Sequence, residues 1–481
     1  MKRIYKSISV LLLSGYFLSC ESIVDNLNTD PNNPTDAPAS LVFTGTQLAN
    51  VVVQEGIASL LGSIWGGYTT GYDRQWKDYG LYNVTAGVYD TEWNNVFRGV
   101  VMNGQITINK ATTLGNRKMV GITKVLMANS VATATELWGD IPFSEAAQIS
   151  AFPHPKFESQ QNVYTKTLAL LDEAIADLAS GVGTVGAEDI HFGGDATKWT
   201  QVAYTLKARL LMDTKQYEAA FAAAEKGIST YANSLYAPHG TTTGVNQNQF
   251  YVFLTQSRPG DISAVGAYNV GLLNPAGTTY RGNAKTIETA RYLFYYQPTG
   301  VNTRGVVEPN TSSTTTAKGF FGMDARFPMV TYMENILTLA ETALRTGKGM
   351  TAALGYLNTY RSFLNAGGYI DATYRTAATL KYEPYVADDF ATGGIENKDG
   401  LTPENALLRE ILQERYVTFY GTHLGWNDER RTRKETVSVK LQPANGTQLP
   451  WRFIYSQNEI NSNKNAPNPV PGIYEPLPIY K

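Results

Sequence analysis

Apolar positions recur at three- and four-residue steps in three stretches of this 481-residue chain, the spacing that places them on one face of an α-helix. In "VYTKTLALLDEAIADL" the stripe is Leu168, Leu171, Ile175 and Leu178. In "YTLKARLLMDTKQYEAAFAAAEKGI", Tyr204, Ala208 and Leu211 are followed by Tyr217, Ala220, Ala224 and Gly227, in register with the large and small positions of the roughly 34-residue tetratricopeptide repeat. A third segment, "MENILTLAETALRTGKGMTAALGYLNTYRSFL", repeats the hairpin with Ala340, Ala343, Ala353 and Leu357 and a turn about one residue longer. Small residues at these places let paired helices approach closely, and each pair needs a neighbour to cover its open apolar face. The intervening stretches, 62–90, 236–325 and 367–399, follow no such period. They are rich in Gly, Thr, Asn and aromatics, and runs such as "NTSSTTT" and "ADDFATGGIENKDG" cannot be helix interiors. The pattern predicts an all-α-dominated fold: a scaffold of tetratricopeptide-like helix pairs carrying a large, irregular, loop-rich ligand-binding face. Long loops on a rigid frame are where function usually sits. No internal linker divides residues 41–481, which read as one unit.

The first residues follow a different pattern. Lys2, Arg3 and Lys6 precede an apolar run from Ile8 to Leu18, the layout of a secretory signal and too short to cross a bilayer. That run ends in "LSC" at Cys20, the only cysteine, as a lipoprotein signal does. A single cysteine forms no internal disulfide and anchors no Cys/His ligand set. The expectation is therefore a signal over residues 1–19, a lipidated Cys20, and an Asn-, Asp-, Pro- and Ser-rich tether over 20–40. Two or three acyl chains make such an anchor stable, so the membrane is met through lipid alone. Loss of the three signal cations from 40 Lys and Arg leaves 37 against 42 Asp and Glu. A net charge near −5 gives no basic footprint for nucleic acid.

Signatures of catalysis are sparse. The chain has no G-x-S-x-G, no G-x-x-x-x-G-K-[ST] and no H-E-x-x-H, and nothing in it calls for a cofactor. His154, His191, His239 and His423 are too widely spaced to pair as metal ligands. No catalytic residue is assigned, and a surface glycoside hydrolase with an unrecognised carboxylate pair stays open as an alternative. The aromatic content, 30 Tyr, 18 Phe and 7 Trp, exceeds what a core alone requires. It is densest in "SIWGGYTTGYDRQWKDYGLYNVTAGVYDTEW", where Trp65, Tyr68, Tyr72, Trp76, Tyr79 and Tyr82 arrive every three or four residues, with Asp73 among them. Helical spacing favours core packing. The interspersed glycines and the scarcity of aliphatic partners favour an exposed platform, on which sugar C–H faces stack while hydroxyls bond to Asp and Asn. Tyr295 and Tyr296 in "RYLFYYQ", and Phe320 and Phe321 in "KGFFGMD", are secondary ligand candidates, with buried packing the stronger reading for them.

Several landmarks taken together resemble the SusD/RagB family of outer-membrane nutrient-binding lipoproteins, in its SusD-like branch. They are "CESIVDNLNTDPNNPTDAP" after the signal, "ELWGDIPFSEAAQ" at 136–148, "LLREILQERYVTFYGTHLGWNDERRTRK" with Trp426, Asp428, Arg430 and Arg431, and "LPWRFIYSQNEINSNKNAPNP", where Ser456 replaces the family's proline. The resemblance covers nearly the whole chain. It implies four tetratricopeptide-like helix pairs, no enzymatic activity, and a SusC-like TonB-dependent transporter as partner, over which the lipoprotein closes while passing oligosaccharides, or in some members peptides, inward. It implies attachment to the outer membrane facing the cell surface. No ligand contact transfers by motif, because the family's ligand residues lie in variable loops; Trp138, Pro142, Trp426 and Arg431 have a plain structural reading.

Overall fold

The computed structural model describes residues 37–299 and 304–481. The expected signal, Cys20 and the tether up to residue 36 lie outside the described residues. Ala39 and Ser40 at the tether's end already belong to the first helix, α1 (Ala39–Glu55). Gly56 breaks the run, and α2 (Ile57–Trp65) resumes it. Together these form the one stretch among the described residues long and apolar enough to span a bilayer, but most of it is buried in the protein. Gln47, Asn50 and Gln54 are bonded inside, to Glu188 O, Ser130 Oγ and Thr133 Oγ1.

Beyond a short helix, α3 (Arg74–Gly80), come α4 (Asn103–Thr113), α5 (Arg117–Trp138), α6 (Gln160–Ala179), α7 (Ala196–Asp213), α8 (Tyr217–Ala224), α9 (Thr289–Tyr295), α10 (Tyr332–Arg345), α11 (Met350–Asn365), α12 (Pro403–Thr418) and α13 (Leu424–Thr432). Side chains fix several starts. Asp195 accepts from the N–H groups of Thr197 and Lys198 ahead of α7, Thr331 from Glu334 N ahead of α10, and Thr402 caps α12 with Pro403 in its first turn. Four consecutive pairs pack together: α5 with α6, α7 with α8, α10 with α11, and α12 with α13. The turn at 346–349 is one residue longer than that at 214–216, as the sequence pattern anticipates.

Ala208, Ala220, Ala224, Ala340, Ala343 and Ala353 are all buried at helix contacts. At Gly227 a side chain would collide with Asn335 and Thr205. Asn335 Nδ2 donates to Ala224 O at 2.9 Å and Ile228 O at 3.2 Å, so the small residue admits a polar stitch between α8 and α10. On α6 the buried stripe is Val163, Tyr164, Thr167, Leu171, Ala174 and Leu178, which leaves Leu168 and Ile175 half-buried at its edge.

The packed pairs are joined by buried charge as well as apolar area. Arg431 on α13 donates to both carboxylate oxygens of Glu341 on α10, at 2.7 and 2.9 Å, and Asp428 links Arg431 to Arg415 on α12. Trp138 donates to Ile454 O at 2.8 Å, and Trp426 lies stacked on Phe453 under the Arg430 guanidinium. Pro142 stands opposite Phe157 in a short ladder. The family-motif residues are thus structural. Strands among the described residues form only two-stranded antiparallel ladders; one pairs β1 (Leu235–Ala237) with β2 (Phe327–Val330).

Candidate functional site

The expected aromatic platform is mostly interior. Trp65, Tyr68, Trp76 and Tyr82 are buried, Tyr79 is half-buried, and Tyr72 and Asp73 alone are exposed. The Trp65 indole donates to Tyr79 O at 2.9 Å and meets Tyr82, Trp426 and Phe453 edge-on, with ring centroids 5.3–6.1 Å apart. Tyr68 stacks on Tyr416 at 4.5 Å and donates to its carbonyl at 2.6 Å. Trp76 packs edge-on against Phe253, and the Tyr82 hydroxyl accepts from Ala444 N. Aliphatic partners are indeed scarce, but aromatic rings from the far end of the chain replace them. At the surface, Asp73 accepts from Arg74 N at the start of α3, and the Arg304 guanidinium lies 5.3 Å from the centre of the Tyr72 ring.

Of the secondary candidates, Tyr295, Tyr296 and Phe321 are also buried. Tyr295 stacks on Tyr420 at 4.2 Å, Tyr296 donates to Tyr68 O, and Phe321 stacks on Phe250. Phe320 differs. It is half-buried and forms one wall of an open cleft of about 240 Å³.

That cleft lies where the two hydrophobic cores of the molecule meet. Phe294 and Phe320 belong to the larger core, Tyr231 and Tyr236 flank the core of the later helix pairs, and Tyr369 touches both. Each ring is placed by its backbone. Phe294 lies in the last turn of α9, and its carbonyl accepts from Phe320 N at 3.0 Å, which sets the two rings edge-on at 5.7 Å. Tyr236 sits on β1 opposite Pro328 of β2, with Tyr231 edge-on to it at 5.9 Å. Gly367 and Gly368, at φ 104° and 52°, reverse the chain after α11 and deliver Tyr369, whose hydroxyl is 2.7 Å from that of Tyr295.

Met333, Pro328 and Thr418 complete the apolar lining, while Lys318, Asp324, Arg326 and Asp371 supply the charge. Burial, with Tyr231 next to it, pushes the Tyr236 phenol well above its ordinary value, so it remains a neutral hydroxyl. Five aromatic rings with a few polar groups make a cavity suited to a molecule that presents both apolar faces and hydroxyls.

Sequence reasoning reached only Phe320 among these residues. The others are separated by up to 138 positions, from Tyr231 to Tyr369, and no local period joins them. A weak signal was available in "GGY" after the third hairpin, since paired glycines at a helix end often turn the chain to present the next side chain.

Three of the four histidines are held in structural contacts. His191 Nδ1 lies 3.0 Å from Tyr236 O, and burial lowers its pKa, so a neutral ring donates there. His239 and His423 contact the buried carboxylates of Glu55 and Glu136. Among the described residues no group of three or more His, Cys, Asp or Glu is placed to hold a metal ion.

Comparison with known proteins places this geometry in a wider group. The sequence profile of the family SusD-like_2, "Starch-binding associating with outer membrane", matches residues 31–456. Comparison with proteins of curated function finds no match. Among solved structures, a SusD/RagB family protein from Bacteroides thetaiotaomicron superposes with a TM-score of 0.69 at 20% identity, covering 92% of this chain and 99% of its own. A SusD homolog from Bacteroides uniformis gives 0.67 at 17% identity, over 93% of this chain and 100% of its own. A chitin-binding SusD homolog from Flavobacterium johnsoniae gives 0.64 at 17% identity, over 88% and 93%. At these identities the structural likeness speaks for the fold, and the family match over most of the sequence decides membership: this chain belongs to the SusD-like family, described as starch-binding and associating with the outer membrane.

Proposed function

We propose that this chain is a non-enzymatic lipoprotein of the outer membrane that captures an oligosaccharide in the cleft walled by Phe294, Phe320, Tyr231, Tyr236 and Tyr369, and hands it to a SusC-like TonB-dependent transporter. The observation that carries the reading is the cleft itself: rings from two cores converge on one open cavity of about 240 Å³ with polar groups at its rim. The chitin-binding relative supports a saccharide as the ligand class. In this reading residues 1–19 are a signal, Cys20 carries the lipid, the residues up to the first helix are a tether, and residues 41–481 act as one unit. Tethering beside a transporter raises effective concentration without new contacts, so the cleft does not require tight capture.

The test is a calorimetric titration of the full chain in detergent with starch, chitin and other oligosaccharides and with short peptides, with thin-layer chromatography of the same mixtures. Saturable binding of an oligosaccharide without products, weakened in Phe320→Ala, supports the reading. Products would point to a hydrolase, and binding of peptides alone to a peptide carrier. The anchor is tested separately: Cys20→Ala is expected to release the protein from membranes, and unchanged retention counts against it.

A further inference from the structure

The charged groups in the cleft are not equivalent. Lys318 is tied to Asp324 at 2.5 Å, so that pair is internally neutral. Asp371 caps the turn at 372–374, accepting from Thr373 N. Arg326 has no carboxylate in ion-pair contact among the described residues; it lies over two phenol rings, its guanidinium carbon 4.3 Å from the centre of Tyr236 and 5.7 Å from that of Tyr231. A terminal nitrogen reaches the Tyr231 hydroxyl at 3.4 Å. The Arg326 side chain is exposed, yet it is packed over the Tyr236 ring and tied to the Tyr231 hydroxyl. A guanidinium is planar, and one restrained by a ring beneath it and by a hydroxyl at one nitrogen has fewer orientations open to its remaining N–H donors, which can donate to two oxygens of one acid group at once.

Resting on the saccharide reading above, we propose that the cleft selects oligosaccharides bearing an isolated acid group, a carboxylate or a sulfate ester, received by Arg326. Asp371, on the same cleft, sharpens the selection. Its carboxylate accepts from sugar hydroxyls and repels a second acid, so a chain with one acid among neutral residues fits and a dense polyanion does not. The same cleft is lined by the Lys318–Asp324 pair and by Tyr231, Tyr236 and Tyr369.

The experiment titrates the full chain in detergent with four pools of oligosaccharides: neutral, carrying one uronic acid, carrying one sulfate ester, and polyanionic. Wild type, Arg326→Gln, Arg326→Lys, Asp371→Asn and Phe320→Ala are compared, each checked for folding by circular dichroism. The expected result is preference for the singly acidic pools, with the uronic and sulfated arms telling carboxylate from sulfate recognition. That affinity should weaken with added salt, fall roughly 10- to 100-fold in Arg326→Gln, as expected for a charge-assisted contact, and recover only in part in Arg326→Lys. Asp371→Asn is expected to relax the exclusion of polyanions. Equal binding of neutral sugars, unmoved by Arg326→Gln but weakened in Phe320→Ala, overturns this inference and leaves the glycan reading standing. Absence of saccharide binding from every pool overturns both.

Discussion

Two aromatic clusters of like composition have opposite fates in this protein. The rings of residues 65–82 arrive in sequence at helical spacing and are sealed but for Tyr72 and part of Tyr79; those of the cleft come from residues 231 to 369 and line an open cavity. What differs is the cover. Trp426, Phe453 and Tyr416, from the last quarter of the chain, close over Trp65 and Tyr68, whereas the junction of the two cores is left open as a cleft. Density of aromatic residues in sequence is thus no measure of availability. A ring becomes a binding surface where the packing of its neighbours stops short.

The strongest way to break this contrast is at Trp65. Trp65→Ala removes a fully packed indole and its hydrogen bond to Tyr79 O, and is expected to cost about 3–5 kcal/mol of stability, read by denaturant unfolding. A change below about 1 kcal/mol would mean that the ring is not the sealed element described, and would reopen the platform.

Sealing acts on charge too. Glu410 on α12 is buried beside Arg281, which also pairs with Glu288 and Glu414, while Arg291 holds Glu414 and Glu288 from the other side. Burial foremost, reinforced by Glu396 and Glu414 and opposed by Arg281 and Arg361, pushes the Glu410 carboxyl up to about 8. For neighbouring Glu414 burial acts in the same sense, but Arg291 and Arg281 outweigh it and hold the carboxyl at about 2.

A folded-state value above the ordinary carboxylate value means that folding takes up a proton. The corresponding stability is present at low pH and is lost as pH rises from about 4.5 to about 8, by up to about 1.4 kcal/mol per pH unit. Glu410→Gln mimics the protonated form and is expected to flatten that slope, so that its stability relative to wild type rises across the window. A difference independent of pH would sink the assignment.

Smaller again is the effect at Phe320. Phe320→Ala removes one half-buried wall of the cleft and is expected to weaken oligosaccharide binding by about 1–2 kcal/mol, roughly 5- to 30-fold, while costing less stability than Trp65→Ala. The ratio of binding loss to stability loss in the two variants is the quantitative form of the contrast. Equal ratios would erase it.

The helical half of the fold was legible because its information is local. The alanines of the hairpins and the longer turn at 346–349 are each written within a few residues of where they act. The site was not legible for the converse reason. Whether Trp65 or Tyr68 is exposed depends on Tyr416, Trp426 and Phe453, some 350 or more positions away, and the cleft depends on β1 pairing with β2 across the long irregular stretch between. Reading few aliphatics near residues 65–82 as a missing core overlooked that aromatic rings can fill one by edge-on packing.

Tyr72 is the finest test, because it is the one aromatic ring of the expected platform that remains open, 42% exposed beneath the Arg304 guanidinium. Its hydrophobic burial is small, and a partly exposed cation–π contact contributes about 0.5–1 kcal/mol, so Tyr72→Ala is expected to shift stability by no more than about that amount. If the cleft is the binding site, oligosaccharide affinity is unchanged in this variant and falls in Phe320→Ala. Should affinity fall at Tyr72 and hold at Phe320, the exposed end of the first cluster is the site and the open cleft is not. If both variants lose affinity, a single ligand reaches from Tyr72 into the cleft, and the two clusters form parts of one extended surface whose sealed portion sets the position of its open ends.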